Sequence, residues 1–107
     1  MMKVKTSDLT GAALDWAVAK CEGFDLLNIY GHIQIAFCPR YSTDWAQGGP
    51  IIERETIATH KKTGTNYWVA VSTTKIETGS TPLIASMRCY VASKLGDEVE
   101  IPQELAQ

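Results

Sequence analysis

Asp44 and Glu53 bracket a run with more chemistry-bearing side chains than any other part of the chain: Tyr41-Ser-Thr-Asp-Trp-Ala-Gln-Gly-Gly-Pro-Ile-Ile-Glu53. Paired carboxylates at a set separation can serve as general acid and base on a glycosidic or phosphate bond. Glu55 follows two residues later, yet Glu53-Arg54-Glu55 reads more simply as a charged, solvated edge. Ser42 and Thr43 place hydroxyls beside Asp44, without a nucleophile elbow or a histidine nearby in sequence. Ser42 reads more simply as a helix cap. Trp45 either plugs the core or stacks on a flat heterocycle, and Tyr41, Gln47, Gly48 and Gly49 supply the rest of such a surface. Gly48-Gly49-Pro50 should end any helical turn begun at Ser42, so the segment is expected to be an irregular loop lining a hollow.

The remaining chemistry is sparse. His32 and His60 have no metal-binding spacing to each other or to cysteine, so no metal and no cofactor is expected. Cys21, Cys38 and Cys89 form no C-x-x-C pair and read as small buried apolar residues in a reducing compartment. Gly79-Ser80-Thr81-Pro82 opens a helix whose free N–H groups would attract an anion. Arg88 on that helix could add a fork of donors, or form a surface ion pair.

These residues need elements to hold them. Lys3–Thr6 reads as a short strand or arm. A helix capped by Ser7 or Thr10 runs to Cys21 or Glu22, where Gly23 stops it. Ile29–Phe37 alternates like a strand that Pro39 ends. Thr56–His60 and Tyr67–Ser72 form a hairpin around Gly64, and its second strand is expected to be central. A second helix begins at Thr81-Pro82 and ends at Gly96. The acidic tail can dock through Val99, Ile101 and Leu105. The expected fold is α+β: a small antiparallel sheet of three to four strands with two helices, in the order α-β-loop-β-β-α.

At 107 residues, a single domain over 1–107 is expected, because a second core would not fit. A net charge of −2 with scattered Lys and Arg disfavours a nucleic-acid partner. No apolar stretch approaches the ~20 residues needed to cross a bilayer, and the N-terminus lacks a signal-peptide pattern. A soluble, cytoplasmic protein is expected. So small a domain with exposed aromatics is also expected to self-associate as a homo-oligomer.

Three blocks carry a family resemblance. Lys3-Val-Lys-Thr-Ser-Asp-Leu-Thr-Gly-Ala-Ala-Leu-Asp-Trp-Ala-Val-Ala19, the central Tyr41–Glu55 block, and Thr81-Pro-Leu-Ile-Ala-Ser-Met-Arg-Cys-Tyr-Val-Ala-Ser-Lys-Leu-Gly96 are together similar to NinX-type phage proteins. That resemblance implies an accessory protein of lambdoid phages and related prophages, at work in the cytoplasm of the bacterial host. It implies no settled activity. Tyr41, Ser42, Trp45, Gly48, Gly49, Pro50, Ile52, Glu53, Thr81, Pro82, Met87 and Arg88 match the family pattern.

The leading expectation is a non-enzymatic binding module whose ligand residues are Tyr41, Ser42, Asp44, Trp45, Gln47, Gly48, Gly49, Glu53, Thr81 and Arg88. Trp45 and Tyr41 would stack a ring, Arg88 and helix N–H groups would hold an anionic group, and Asp44 or Glu53 would accept hydrogen bonds. The ligand would be a nucleotide-like host defence signal. Two alternatives stand beside it: a surface that grips a host or phage protein of replication, recombination or defence, and a small hydrolase using Asp44 and Glu53.

Overall fold

A computed structural model describes residues 1–24 and 38–105. The expected strand at Ile29–Phe37, with His32, lies outside the described residues. In chain order the elements are strand β1 (Met2–Lys5), helix α1 (Gly11–Cys21), helix α2 (Trp45–Arg54), strands β2 (Ala58–Lys61), β3 (Trp68–Val71) and β4 (Ile76–Gly79), helix α3 (Pro82–Leu95) and strand β5 (Glu98–Ile101). Single 3-10 turns follow β1 and β5. The class is α+β, as expected. The described order contains a third helix, and its strands divide into two antiparallel sheets, β1-β5 and β2-β3-β4.

β3 is the middle strand of the larger sheet, in register Thr59↔Ala70 on one side and Ala70↔Glu77 on the other. Ala70 is fully buried there, as a central strand requires. The docked tail takes the form of β5, which pairs with β1 in register Val4↔Val99. Alternation sends Val99 and Ile101 into the core and leaves Lys3, Lys5, Glu98 and Glu100 in solvent.

α3 is the hub. Leu83, Ala85, Met87, Cys89, Tyr90 and Val91 are buried, because the helix packs on the three-stranded sheet, on α1 and on α2. Thr81 caps it by accepting from the Ile84 N–H at 3.0 Å, and Pro82 opens it. Gly79 lets the sheet come close: a β-carbon there would lie 2.7 Å from the Ala85 nitrogen.

α1 and α2 end in the same way. Past α1, Gly23 takes a φ of 94°, its N–H bonds to Lys20 O and that of Phe24 bonds to Ala19 O. Past α2, Thr56 takes a φ of 55°, its N–H bonds to Glu53 O and that of Ile57 bonds to Ile52 O. Both are left-handed Schellman ends. In the second, a β-branched residue holds a position that favours glycine.

Candidate functional site

The Tyr41–Glu53 segment is helical where a loop is expected. Its entry is a tight turn, with the Thr43 and Asp44 N–H groups both bonded to Arg40 O. α1 pins that turn: Asp15 Oδ1 accepts the Ser42 N–H at 2.8 Å. Asp44, rather than Ser42, is the cap, and its carboxylate accepts the Ala46 N–H at 3.0 Å. Gly48 and Gly49 stay inside the helix. Pro50 lies within it too, and its missing N–H removes one bond on a solvent-facing side. Tertiary packing outweighs these local breakers. Gly48 and Ile51 turn inward, and a β-carbon on Gly48 would lie 2.5 Å from Tyr41 O.

Of the ten expected ligand residues, several serve the fold. Tyr41 is 5% exposed and Ser42 is 2% exposed. Burial pushes the Tyr41 phenol up to about 12. Asp44 and Thr81 are caps, and Gly48 is a packing contact against Leu83 near the start of α3. The segment and the front of α3 therefore do meet, but they meet as packed backbone.

Arg88 stands apart. It is five residues beyond Leu83, about 140° further round the helix. Its Nε donates to Leu9 O at 2.7 Å and its Nη1 to Thr78 O at 2.8 Å, in place of an ion pair. Burial pulls its pKa down, against the opposing charges of Glu77 and Asp8.

Trp45, Gln47 and Glu53 remain open to solvent, and Gly49 is half-buried. Trp45 neither plugs the core nor lines either of the two described cavities: it is 55% exposed. A β-carbon on Gly49 would sit 3.9 Å from the indole Cε3, so the ring lies back along the helix over Gly49. Half-buried Ile52 continues that stripe one turn on.

The geometry speaks against the catalytic readings. Asp44 and Glu53 are nine helical residues apart, roughly 13 Å along the axis and on opposite faces, too far to share one bond. The cysteines are free thiols, and burial pushes Cys21 and Cys38 up to about 11, far from a thiolate. Among the described residues no group of three or more His, Cys, Asp or Glu gathers to hold a metal.

Sequence reasoning missed two arrangements. Arg54 sits at the centre of an ion cluster: its Nη2 lies 2.6 Å from Glu22 Oε2 and its Nε 3.0 Å from Glu55 Oε2. The Tyr90 hydroxyl donates to Glu22, and Lys94 reaches Glu55 at 3.3 Å. In sequence Arg54 and Glu55 read as a charged, solvated edge, and Glu22, Tyr90 and Lys94 join them only through the fold. The second is a hollow of about 500 Å³ beside β1 and the start of α1, assembled from both chain ends.

Fold and site thus define a small α+β protein that presents a tryptophan-bearing helix, with no catalytic constellation assembled among the described residues. A family model described as Bacteriophage P22, NinX, matches residues 5–94, and the chain belongs to that family of phage proteins. No curated protein matches it. Among the described residues no helix is long and apolar enough to cross a membrane.

Proposed function

We propose that this phage protein is a non-enzymatic binding module that recognises a protein partner through the outer face of α2. The observation that carries the reading is the exposure of Trp45 on a rigid helix, with its indole over Gly49 and Ile52 one turn beyond. Tryptophan is the residue most enriched among interface hot spots, because it buries a large area at little entropic cost. Glu53, about 80° round the helix from Trp45, would supply part of the polar rim. In a phage accessory protein, a host or phage factor of replication, recombination or defence is the partner class that fits.

Sequestration of a nucleotide signal is less well supported by the same face. The start of α3, where an anion is expected, is already capped by the Thr81 hydroxyl accepting the Ile84 N–H, and Arg88 is bound to backbone carbonyls. In-cell crosslinking from a photoreactive residue at exposed Glu53, followed by calorimetry of the purified pair, tests the proposal. One stoichiometric protein whose binding is lost on Trp45→Ala supports it. A crosslink to a second copy of the chain alone would replace it with self-association. Saturable heat from cyclic dinucleotides or ADP-ribose derivatives, abolished by Trp45→Ala, would restore nucleotide sequestration.

A further inference from the structure

The hollow at the joined chain ends is unrelated to the α2 face. Its walls are mainly apolar: Met2 and Val4 from β1, Leu9 and Ala13 at the start of α1, and Ile101 and Leu105 from the tail. Its volume of about 500 Å³ falls in the range of small-molecule sites. Met2 is 47% exposed at its mouth, a flexible wall able to fold over an apolar body.

The charge of the lining is one-sided. Asp8 and Glu104 both line the hollow, with neutral Thr10 beside them, and among the described residues no Lys or Arg does. Lys3 and Lys5 alternate to the opposite face of β1. Arg88, bonded to Leu9 O and Thr78 O, does not line the hollow, but its charge reaches Asp8 from α3 and offsets part of that carboxylate's charge. Glu104 makes no ion pair among the described residues, which leaves it the principal anchor.

We infer that this hollow is a binding site for a small amphipathic cation, an alkyl or aryl body bearing a protonated amine. The apolar walls take the body and Glu104, aided by Asp8, takes the ammonium. The carboxylates oppose a fatty acid or any other anionic amphiphile of the same size.

The test is an amide NMR titration of the whole chain with octylamine, octanoate and octanol at neutral pH. Octylamine is expected to saturate with shifts confined to Met2–Val4, Asp8–Ala13 and Ile101–Leu105, and octanoate to bind at least about tenfold more weakly. Glu104→Gln is expected to weaken octylamine about three- to fivefold with the melting temperature unchanged. Ala12→Trp, at an exposed lining position, is expected to fill the hollow and abolish the shifts while the remaining spectrum stays folded. No saturable shift by about 10 mM octylamine would overturn the assignment. So would octanoate or octanol binding as well as the amine, or Glu104→Gln leaving the affinity intact.

Discussion

Gly48 on α2 and Leu83 on α3 pack so closely that a β-carbon on the glycine would lie 2.6 Å from Leu83 Cδ1. The Tyr41 carbonyl crowds the same point from the other side at 2.5 Å. This contact fixes how α2 lies on the hub helix, and therefore which way Trp45 faces. Gly48→Ala is expected to cost about 2–3 kcal/mol, since a backbone atom cannot step aside. Gly49→Ala meets only the indole at 3.9 Å and is expected to stabilise by about 0.5–1 kcal/mol. Urea denaturation of the two variants checks the contrast.

The end of α2 offers a second comparison. Gly23 and Thr56 occupy equivalent left-handed positions, and only threonine carries a β-branched side chain there. Thr56→Gly is expected to relieve roughly 1 kcal/mol of backbone strain, partly offset by a freer unfolded chain. A higher thermal midpoint is the expected readout, with Gly23→Thr moving it the other way.

The segment around Gly48 also shows what was legible in the sequence. The Thr81-Pro82 start and Gly96 end of α3 were readable, because caps and breakers act within one turn. So was the central place of β3, from side chains apolar on both faces. α2 was not. Gly48, Gly49 and Pro50 each oppose a helix locally, and what outweighs them is distant: Asp15 clamping the entry and Leu83 requiring a residue without a side chain. The role of Arg88 was hidden for the same reason, since its acceptors are backbone carbonyls at Leu9 and Thr78. The exposure of Trp45 follows from the helix, so a loop reading could not decide it.

Asp15 is 8% exposed, and burial raises its pKa above 3.8, against the pull of Ser42 and Arg40. The folded state therefore holds its proton more tightly than the unfolded state. Stability falls as pH rises from the ordinary carboxyl value through the raised one, and stays lower above it. Asp15→Asn keeps an acceptor for the Ser42 N–H and removes the buried charge. It is expected to be at least as stable as the parent at neutral pH, with its advantage shrinking on acidification. Asp15→Ala leaves that N–H unpaired and is expected to cost about 1–3 kcal/mol. Denaturation midpoints across pH separate the two.

The ion cluster has the opposite sign. The Arg54 hydrogen bonds hold Glu22 and Glu55 below the ordinary 4.5 of a glutamate. Their contribution is complete above that value and is lost as pH falls through the lowered ones. Arg54 is half exposed, so solvent screening limits the Glu22 pair to about 1 kcal/mol. Glu22→Gln is expected to lower neutral-pH stability by about that amount and to flatten the acid limb of the pH profile, measured by urea midpoints.

The most direct test of the α2 face is fluorotryptophan NMR of the chain, with the Trp45 resonance assigned through Trp45→Phe. In the free protein that resonance is expected to be the most solvent-accessible of the three tryptophans, and on addition of the crosslinked partner it should shift and lose access while buried Trp16 stays unchanged. A Trp45 signal already shielded in the free monomer, or one unmoved in the complex, would contradict the account.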